Sequence, residues 1–334
     1  MRILAVTNMY PIETAPTLGI FVEQQVKGLI RIGIQVDVLH LNRRVHGPMV
    51  YWTTTGRIED ELKKHRYDLM HVMYGGVMAE VATRTIPNVP NAVTIHGSDL
   101  LGDSLSGPLR RLSAQVGVIA SRLAARRADG VVTVSENLRE ELPKEVDRQR
   151  VRVIPCGIDL DRFKPLDQSR CRQQLGWDNN EYHVLFAISG DPVKRPELAR
   201  STIAELVQRG TKVRLHELSR IPNDQVPVWI NASDALLLTS LHEGSPTIVK
   251  ESLACNTPVV SVDVGDVRDR VRDVAGCSIV SAFPGELADA LLRAFSARGK
   301  SNGRSRVHEL SIQASAEQLR DFYQEIITRK KRRN

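Results

Sequence analysis

Aromatic residues are scarce in this chain. They make up 4% of its 334 residues and do not interleave with the basic ones. Stacking platforms for single-stranded nucleic acid are therefore not expected, and no nucleic-acid partner is predicted. Cysteine is limited to Cys156, Cys171, Cys255 and Cys277, with no C-x-x-C pair. This spacing provides neither a disulfide framework nor a zinc site and suits free thiols in a reducing compartment. No apolar run approaches the roughly 18 residues that a membrane helix needs. The opening Met1-Arg2-Ile3-Leu4-Ala5-Val6-Thr7-Asn8 is too short and polar for a signal peptide and reads as a buried strand, which predicts a cytoplasmic protein.

Hydrophobic residues at 42% and charged residues at 25% are ordinary globular usage, and the length predicts about two domains. The net charge is +7, to which Arg329-Lys330-Lys331-Arg332-Arg333 contributes five positive charges. A second basic run lies in residues 108–127, with Arg110, Arg111, Arg122, Arg126 and Arg127 and no acid. A nucleotide-diphosphate ligand suits such charge, and an anionic membrane surface is a second candidate partner, reached by the 108–127 helix and the 329–333 tail. A solvated basic face is the alternative.

Apolar β-branched runs alternate with amphipathic stretches from end to end. Strands are predicted at 3–7, 35–41, 69–73, 92–95, 131–134 and 151–154, with helices at 21–32 and 108–127. The pattern breaks at Pro155-Cys156-Gly157-Ile158 and restarts with strands at 184–188, 213–217, 235–238, 258–262 and 277–280. The last helix is placed at 315–328, with Leu319, Phe322, Tyr323 and Ile326 on one face. Strands alternating with helices imply parallel sheets covered on both faces, with ligands outside the carboxyl ends of the strands. Boundaries follow as residues 1–157, 158–314, and 315–334 for the last helix and basic tail.

Several motifs fail. No G-x-G-x-x-G or G-x-S-x-G occurs, Gly299-Lys300-Ser301 lacks the rest of a phosphate loop, and His216-Glu217 lacks a second zinc-binding histidine. Asp159-Leu160-Asp161 sits in the linker beside Arg162 and reads as a turn rather than a metal site.

The most informative stretch runs from Asp234 to Glu251. A strand ends near Thr239, a turn holds Gly244, Ser245 is the predicted N-cap, and Pro246 the first helical residue. A helix N-terminus offers unpaired N–H groups and partial positive charge, which suits a phosphate. Glu243 precedes this point and Glu251 lies about 8 Å beyond it at ~1.5 Å per residue. Two carboxylates so placed can grip a sugar and a ribose.

Two glutamates separated by seven residues, followed by Ala254-Cys255-Asn256-Thr257-Pro258-Val259-Val260 and Gly265-Asp266-Val267, resemble the signature of retaining glycosyltransferase family 4. Ile154-Pro155-Cys156-Gly157-Ile158-Asp159, Phe163-Lys164-Pro165, Thr94-Ile95-His96-Gly97 and Gly19-Ile20-Phe21-Val22-Glu23 match in the right order, so the resemblance covers essentially the whole chain. It implies an α/β GT-B fold: two Rossmann-like doubly wound domains facing across a cleft, the first on the acceptor side, the second binding the donor, and the C-terminal helix crossing back to the first. It also implies a retaining, hexosyltransferase-type enzyme that needs no metal or other cofactor. The sugar moves from a nucleotide-diphosphate sugar to a glycan or lipid-linked acceptor in cell-surface or exopolysaccharide synthesis.

By the same resemblance Glu243 holds hydroxyls of the donor sugar and Glu251 the ribose. Gly244, Ser245 and Pro246 face the sugar, Thr247 and Ile248 the phosphates. His96 acts at the sugar, and Gly19 lets a loop approach the diphosphate. Lys194 matches the family's phosphate-binding lysine, but Ser189 stands where its arginine would be, and Arg195 is the candidate replacement. Ile221 falls in a shortened base-binding loop. The departure at Ser189 keeps a second reading open, a non-catalytic nucleotide-sugar-binding subunit of a glycosylation complex.

Overall fold

A computed structural model describes residues 1–334 except 86–87, 103–107, 189–191, 220, 298–300 and 333–334; at 48 and 108–110 it describes the backbone alone. The chain divides into two compact units, Met1–Gly157 with Ile312–Asn334, and Ile158–Ser311.

The first unit is built on a six-stranded parallel sheet of β1 (Arg2–Thr7), β2 (Gln35–His40), β3 (Leu69–Val72), β4 (Asn91–Ile95), β5 (Gly130–Thr133) and β6 (Val151–Val153), in the order β2-β1-β3-β4-β5-β6. Register shows why these segments pair. Val6, Val72, Val93, Val131 and Val151 stand directly opposite one another across five strands. All five are buried in one apolar cluster. β-branched side chains pack well on a pleated surface, and parallel strands buried on both faces read as continuous apolar runs.

The opposite face is closed by the Ile312–Lys331 helix, whose Ala316, Leu319, Phe322, Tyr323 and Ile326 cluster with Ile3, Leu69, Ala92, Val132 and Ile154. Glycines make the close approach possible. A Cβ at Gly130 would lie 2.3 Å from Ile326 Cδ1, and one at Gly28 would lie 2.6 Å from Ile312 Cγ2. The helix is longer than the 315–328 read from sequence. Its last turn includes Arg329, Lys330 and Lys331, so most of the expected tail is helical. Lys330 Nζ lies 3.0 Å from Asp129 Oδ2, and cations are favoured at a helix C-terminus.

Beneath this helix His71 is fully buried. Its Nδ1 is 2.6 Å from the Tyr323 hydroxyl and its Nε2 2.6 Å from Thr94 Oγ1. Burial chiefly, with His96 second, pushes its pKa from 6.5 down to about 3. The unfolded chain therefore takes up a proton as pH falls through 6.5, whereas the folded chain does not until about pH 3. Stability contributed by neutral His71 is present above pH 6.5 and is lost between 6.5 and 3, by up to about 1.4 kcal/mol per pH unit. Urea titrations across this window should show a steeper loss in the native protein than in His71→Gln. Equal slopes would exclude His71 as the source.

The second unit carries β7 (Tyr182–Ala187), β8 (Val213–Leu218), β9 (Ala235–Leu238), β10 (Val259–Ser261) and β11 (Ser278–Ile279), all parallel in the order β11-β10-β9-β7-β8. All eleven strands lie within two residues of their sequence-derived positions. At the head of β9, Asp234 Oδ2 accepts from Arg172 Nη2 at 2.6 Å and from the His183 N–H at 2.7 Å. Neither side chain of this ion pair is exposed. It ties the Gln168–Leu175 helix to two adjacent strands.

Candidate functional site

In the second unit the loops leaving β7 and β9, two neighbouring strands, are fastened together. The Leu241 N–H donates to Val193 O at 2.8 Å, and Thr239 Oγ1 donates to Lys194 O at 2.6 Å. Arg195 adopts a left-handed conformation (φ 49°, ψ 60°) before the Pro196–Gln208 helix. A non-glycine residue there costs about 1–2 kcal/mol. Its guanidinium offsets this by donating from Nε to Thr239 O at 2.5 Å and from Nη2 to Ser240 O at 3.3 Å. Desolvation in this position lowers the Arg195 pKa. Arg195 is thus engaged with main-chain carbonyls, while Lys194 faces the turn. Lys194 Nζ lies 2.5 Å from Glu243 Oε1, which also accepts from Ser240 Oγ at 2.7 Å. Two residues singled out separately in the sequence, 49 positions apart, form one ion pair.

The turn that follows is held from below. Gly265 has φ +53°, and a Cβ there would stand 2.6 Å from Gly244 O, so only glycine fits without displacing the turn. Ser245 is not the helix cap expected from sequence. Its hydroxyl donates to Asp266 Oδ2 at 2.8 Å and accepts from Lys250 Nζ at 3.2 Å, and Arg270 Nε donates to the same Asp266 oxygen at 2.8 Å. Pro246 occupies the N-cap instead, with ψ 118°, and the helix is Thr247–Ala254. A proline at the cap has no side-chain oxygen to offer, so no side chain caps this N-terminus. Thr247 and Ile248 become its first two residues, and an uncapped helix start is a ready anion site.

Glu251 lies one turn further on, half-buried. Desolvation pushes its carboxyl up to about 7 against the opposing influence of Lys250 and Arg162. Ile221 follows β8 and packs, half-buried, on the core of this unit. Ser189 lies outside the described residues. Asp159 Oδ1 accepts from the N–H groups of Asp161 and Arg162, as expected for a turn. Among the described residues no three His, Cys, Asp or Glu side chains cluster as a metal site. Lys250, Asp266 and Arg270, which brace the turn, had no sequence-derived role. Asp266 stood inside a matched motif, whereas Lys250 reads as an ordinary helix charge.

In the first unit Gly19 has φ +64° at the start of the Ile20–Arg31 helix, and a Cβ there would lie 2.3 Å from the Met9 carbonyl. His96, just after β4, is half-buried, with its ring stacked on Tyr74. Its Nε2 is 3.1 Å from Met73 O, which fixes the hydrogen on that nitrogen, and Nδ1 is 3.6 Å from the Cys156 sulfur. Both ring nitrogens therefore have partners within this unit.

Two parallel-sheet Rossmann-like units, the second carrying a braced turn, a lysine–glutamate pair and an uncapped helix start, define the class as a GT-B glycosyltransferase. Comparison with solved structures agrees. The chain superposes on sucrose-phosphate synthase from Thermosynechococcus elongatus with a TM-score of 0.80 at 20% identity, covering 98% of this chain and 100% of that one. Anabaena HepE in complex with UDP gives 0.71 at 16% identity, over 97% and 100%. The Glycosyltransferase Family 4 profile matches residues 18–162, and that of Glycosyl transferases group 1 matches residues 169–297. The chain belongs to glycosyltransferase family 4. Among its relatives, D-inositol 3-phosphate glycosyltransferase of Frankia alni is 28% identical over 68% of this chain, which spans 65% of that relative's length.

Proposed function

We propose that the protein transfers a sugar, with retention at the anomeric carbon and without a metal, from a nucleotide-diphosphate sugar to a glycan or lipid-linked saccharide acceptor of a cell-surface or exported polysaccharide. The observation that carries this reading is the Lys194–Glu243 pair beside the uncapped start of the Thr247–Ala254 helix. A donor sugar hydroxyl would take over Glu243, which frees Lys194 for the leaving diphosphate. The Thr247 and Ile248 N–H groups would share that charge, and Glu251 would accept from the ribose hydroxyls. Arg195 would act mainly by fixing the loop, since two of its donors face Thr239 O and Ser240 O. Such a site works by positioning and by stabilising charge on the departing diphosphate. The roles of Gly19 and His96 toward the donor rest on the resemblance of their motifs. The UDP held by HepE supports a nucleotide ligand.

Calorimetric titration with UDP-, GDP- and ADP-sugars, without added metal, tests the reading. One donor should bind, and an acceptor should then trigger release of the nucleoside diphosphate. Binding without turnover for any acceptor would favour the non-catalytic subunit. The pH dependence gives a sharper check. With the free carboxyl of Glu251 at about 7, the site below neutrality holds a protonated acid in place of the acceptor that ribose needs. Affinity should fall as pH drops from 7 to 5.5, by at most about tenfold per unit, and level off above 7.5. Glu251→Gln should flatten the curve. A flat curve in the native protein would remove Glu251 from the ribose.

A further inference from the structure

His96 and Cys156 leave the first sheet from different strands. His96 is the first residue after β4 and Cys156 the third after β6, and β5 lies between those strands in the sheet. Both exits are held in place. The His96 N–H donates to the Asp99 carboxylate at 3.0 and 3.1 Å, and the Gly97 N–H donates to the same group at 2.7 Å. After β6 the Ile154 N–H donates to Thr133 O at 2.9 Å, and Ser315 Oγ donates to Pro155 O at 2.9 Å. The two side chains thus meet where the backbone fixes them, with the buried Cys156 Sγ 3.6 Å from His96 Nδ1.

Packing confines the plane of the imidazole. Tyr74 stacks on it with ring centroids 5.6 Å apart, and Phe21 lies against it at 4.5 Å, tilted by 54°. Such contacts do not distinguish the two orientations related by a half-turn about the Cβ–Cγ bond, which exchanges each nitrogen with a carbon. Hydrogen bonds do. Met73 O can only accept, so Nε2 carries the hydrogen and Nδ1 in that tautomer can only accept. The Cys156 thiol brings the donor that Nδ1 requires. An acceptor at Nε2 and a donor at Nδ1 together specify one tautomer in one orientation.

We infer that Cys156 is a positioning residue for His96, its thiol donating to Nδ1 and holding the imidazole as the Nε2–H tautomer in one orientation. Read from sequence, Cys156 is one of four free thiols inside a matched linker motif. Its effect on transfer rests on the proposed function, in which His96 acts at the donor sugar. The thiol–imidazole bond itself does not.

Imidazole nitrogen spectra of the full chain, isotopically labelled at histidine and recorded at about pH 8, where an ordinary imidazole is neutral, test it. Comparison with His96→Gln assigns the resonances of His96. The native protein should show Nε2 protonated and Nδ1 as a hydrogen-bonded acceptor. Cys156→Ala should move the Nδ1 resonance downfield, toward that of an acceptor without a donor. Cys156→Ser, which keeps a donor, should move it back. In Cys156→Ala kcat/KM for the nucleotide sugar should fall roughly three- to tenfold, the worth of one hydrogen bond, and it should recover in Cys156→Ser. Serine does not restore the volume of sulfur, so its rescue reports the hydrogen bond rather than packing. A hydrogen on Nδ1 in the native protein, an Nδ1 resonance indifferent to Cys156→Ala, or a serine variant that rescues neither readout would each overturn the assignment. A shifted resonance with unchanged kcat/KM would overturn the positioning role. A chain without transfer activity would defeat the proposed function instead, and the spectra would still decide for or against the thiol–imidazole bond.

Discussion

Glu243→Ala is expected to lower kcat/KM by about 10²–10³-fold while leaving the fold intact, the range seen when one preorganised hydrogen-bonding group at a reacting centre is removed. Glu243 is half-buried, and its Oε1 accepts from both Lys194 and Ser240. Truncation removes the acceptor for the donor sugar and also the partner that holds Lys194 in place. Two effects thus fall on one residue, and Lys194→Met in the Glu243→Ala background should add less than it costs alone. Glu243→Gln keeps the shape and loses the charge. It should retain part of the donor affinity but little of the turnover, because a neutral amide does not fix the ammonium. Steady-state kinetics with the donor identified by calorimetry provides the readout. Turnover within threefold of the native rate would remove Glu243 from the reacting centre.

The second large effect is on stability. Asp234→Ala is expected to cost about 3–5 kcal/mol, because it strands the Arg172 guanidinium in a fully buried position. It also removes the acceptor for the His183 N–H. Arg172→Met in the same chain should recover part of the loss, since an apolar side chain has no charge to leave unpaired. Urea unfolding of the two single variants and the double variant completes the cycle. A single-variant loss under about 1 kcal/mol, or strict additivity, would contradict this account. The effect should extend to the site, because Asp234 starts the strand whose far end leads into Thr239, Ser240 and Glu243.

The strands were legible because parallel, doubly buried segments leave continuous β-branched runs, and the Val6–Val72–Val93–Val131–Val151 row is the packed form of that signal. Glu243 and Glu251 were legible from local spacing and a matched motif. The cap was read one residue early because Ser followed by Pro usually starts a helix, whereas here Asp266, 21 residues away, takes the Ser245 hydroxyl. The Lys194–Glu243 pair, the partners of His96 and the Lys330–Asp129 contact join positions far apart in sequence, and no local pattern encodes them.

The Ile312–Lys331 helix has a consequence for synthesis of the chain. One face of the first sheet, with Leu69, Ala92, Val132 and Ile154, is covered by a helix that follows the whole second unit in sequence. All of Ile158–Ser311 is translated in between. A nascent chain paused in that stretch carries a finished valine-rich face on one side and, on the other, an apolar face that still lacks the Ile312–Lys331 helix. Chaperone dependence during translation, and aggregation of products that stop short of residue 312, follow from this order of assembly.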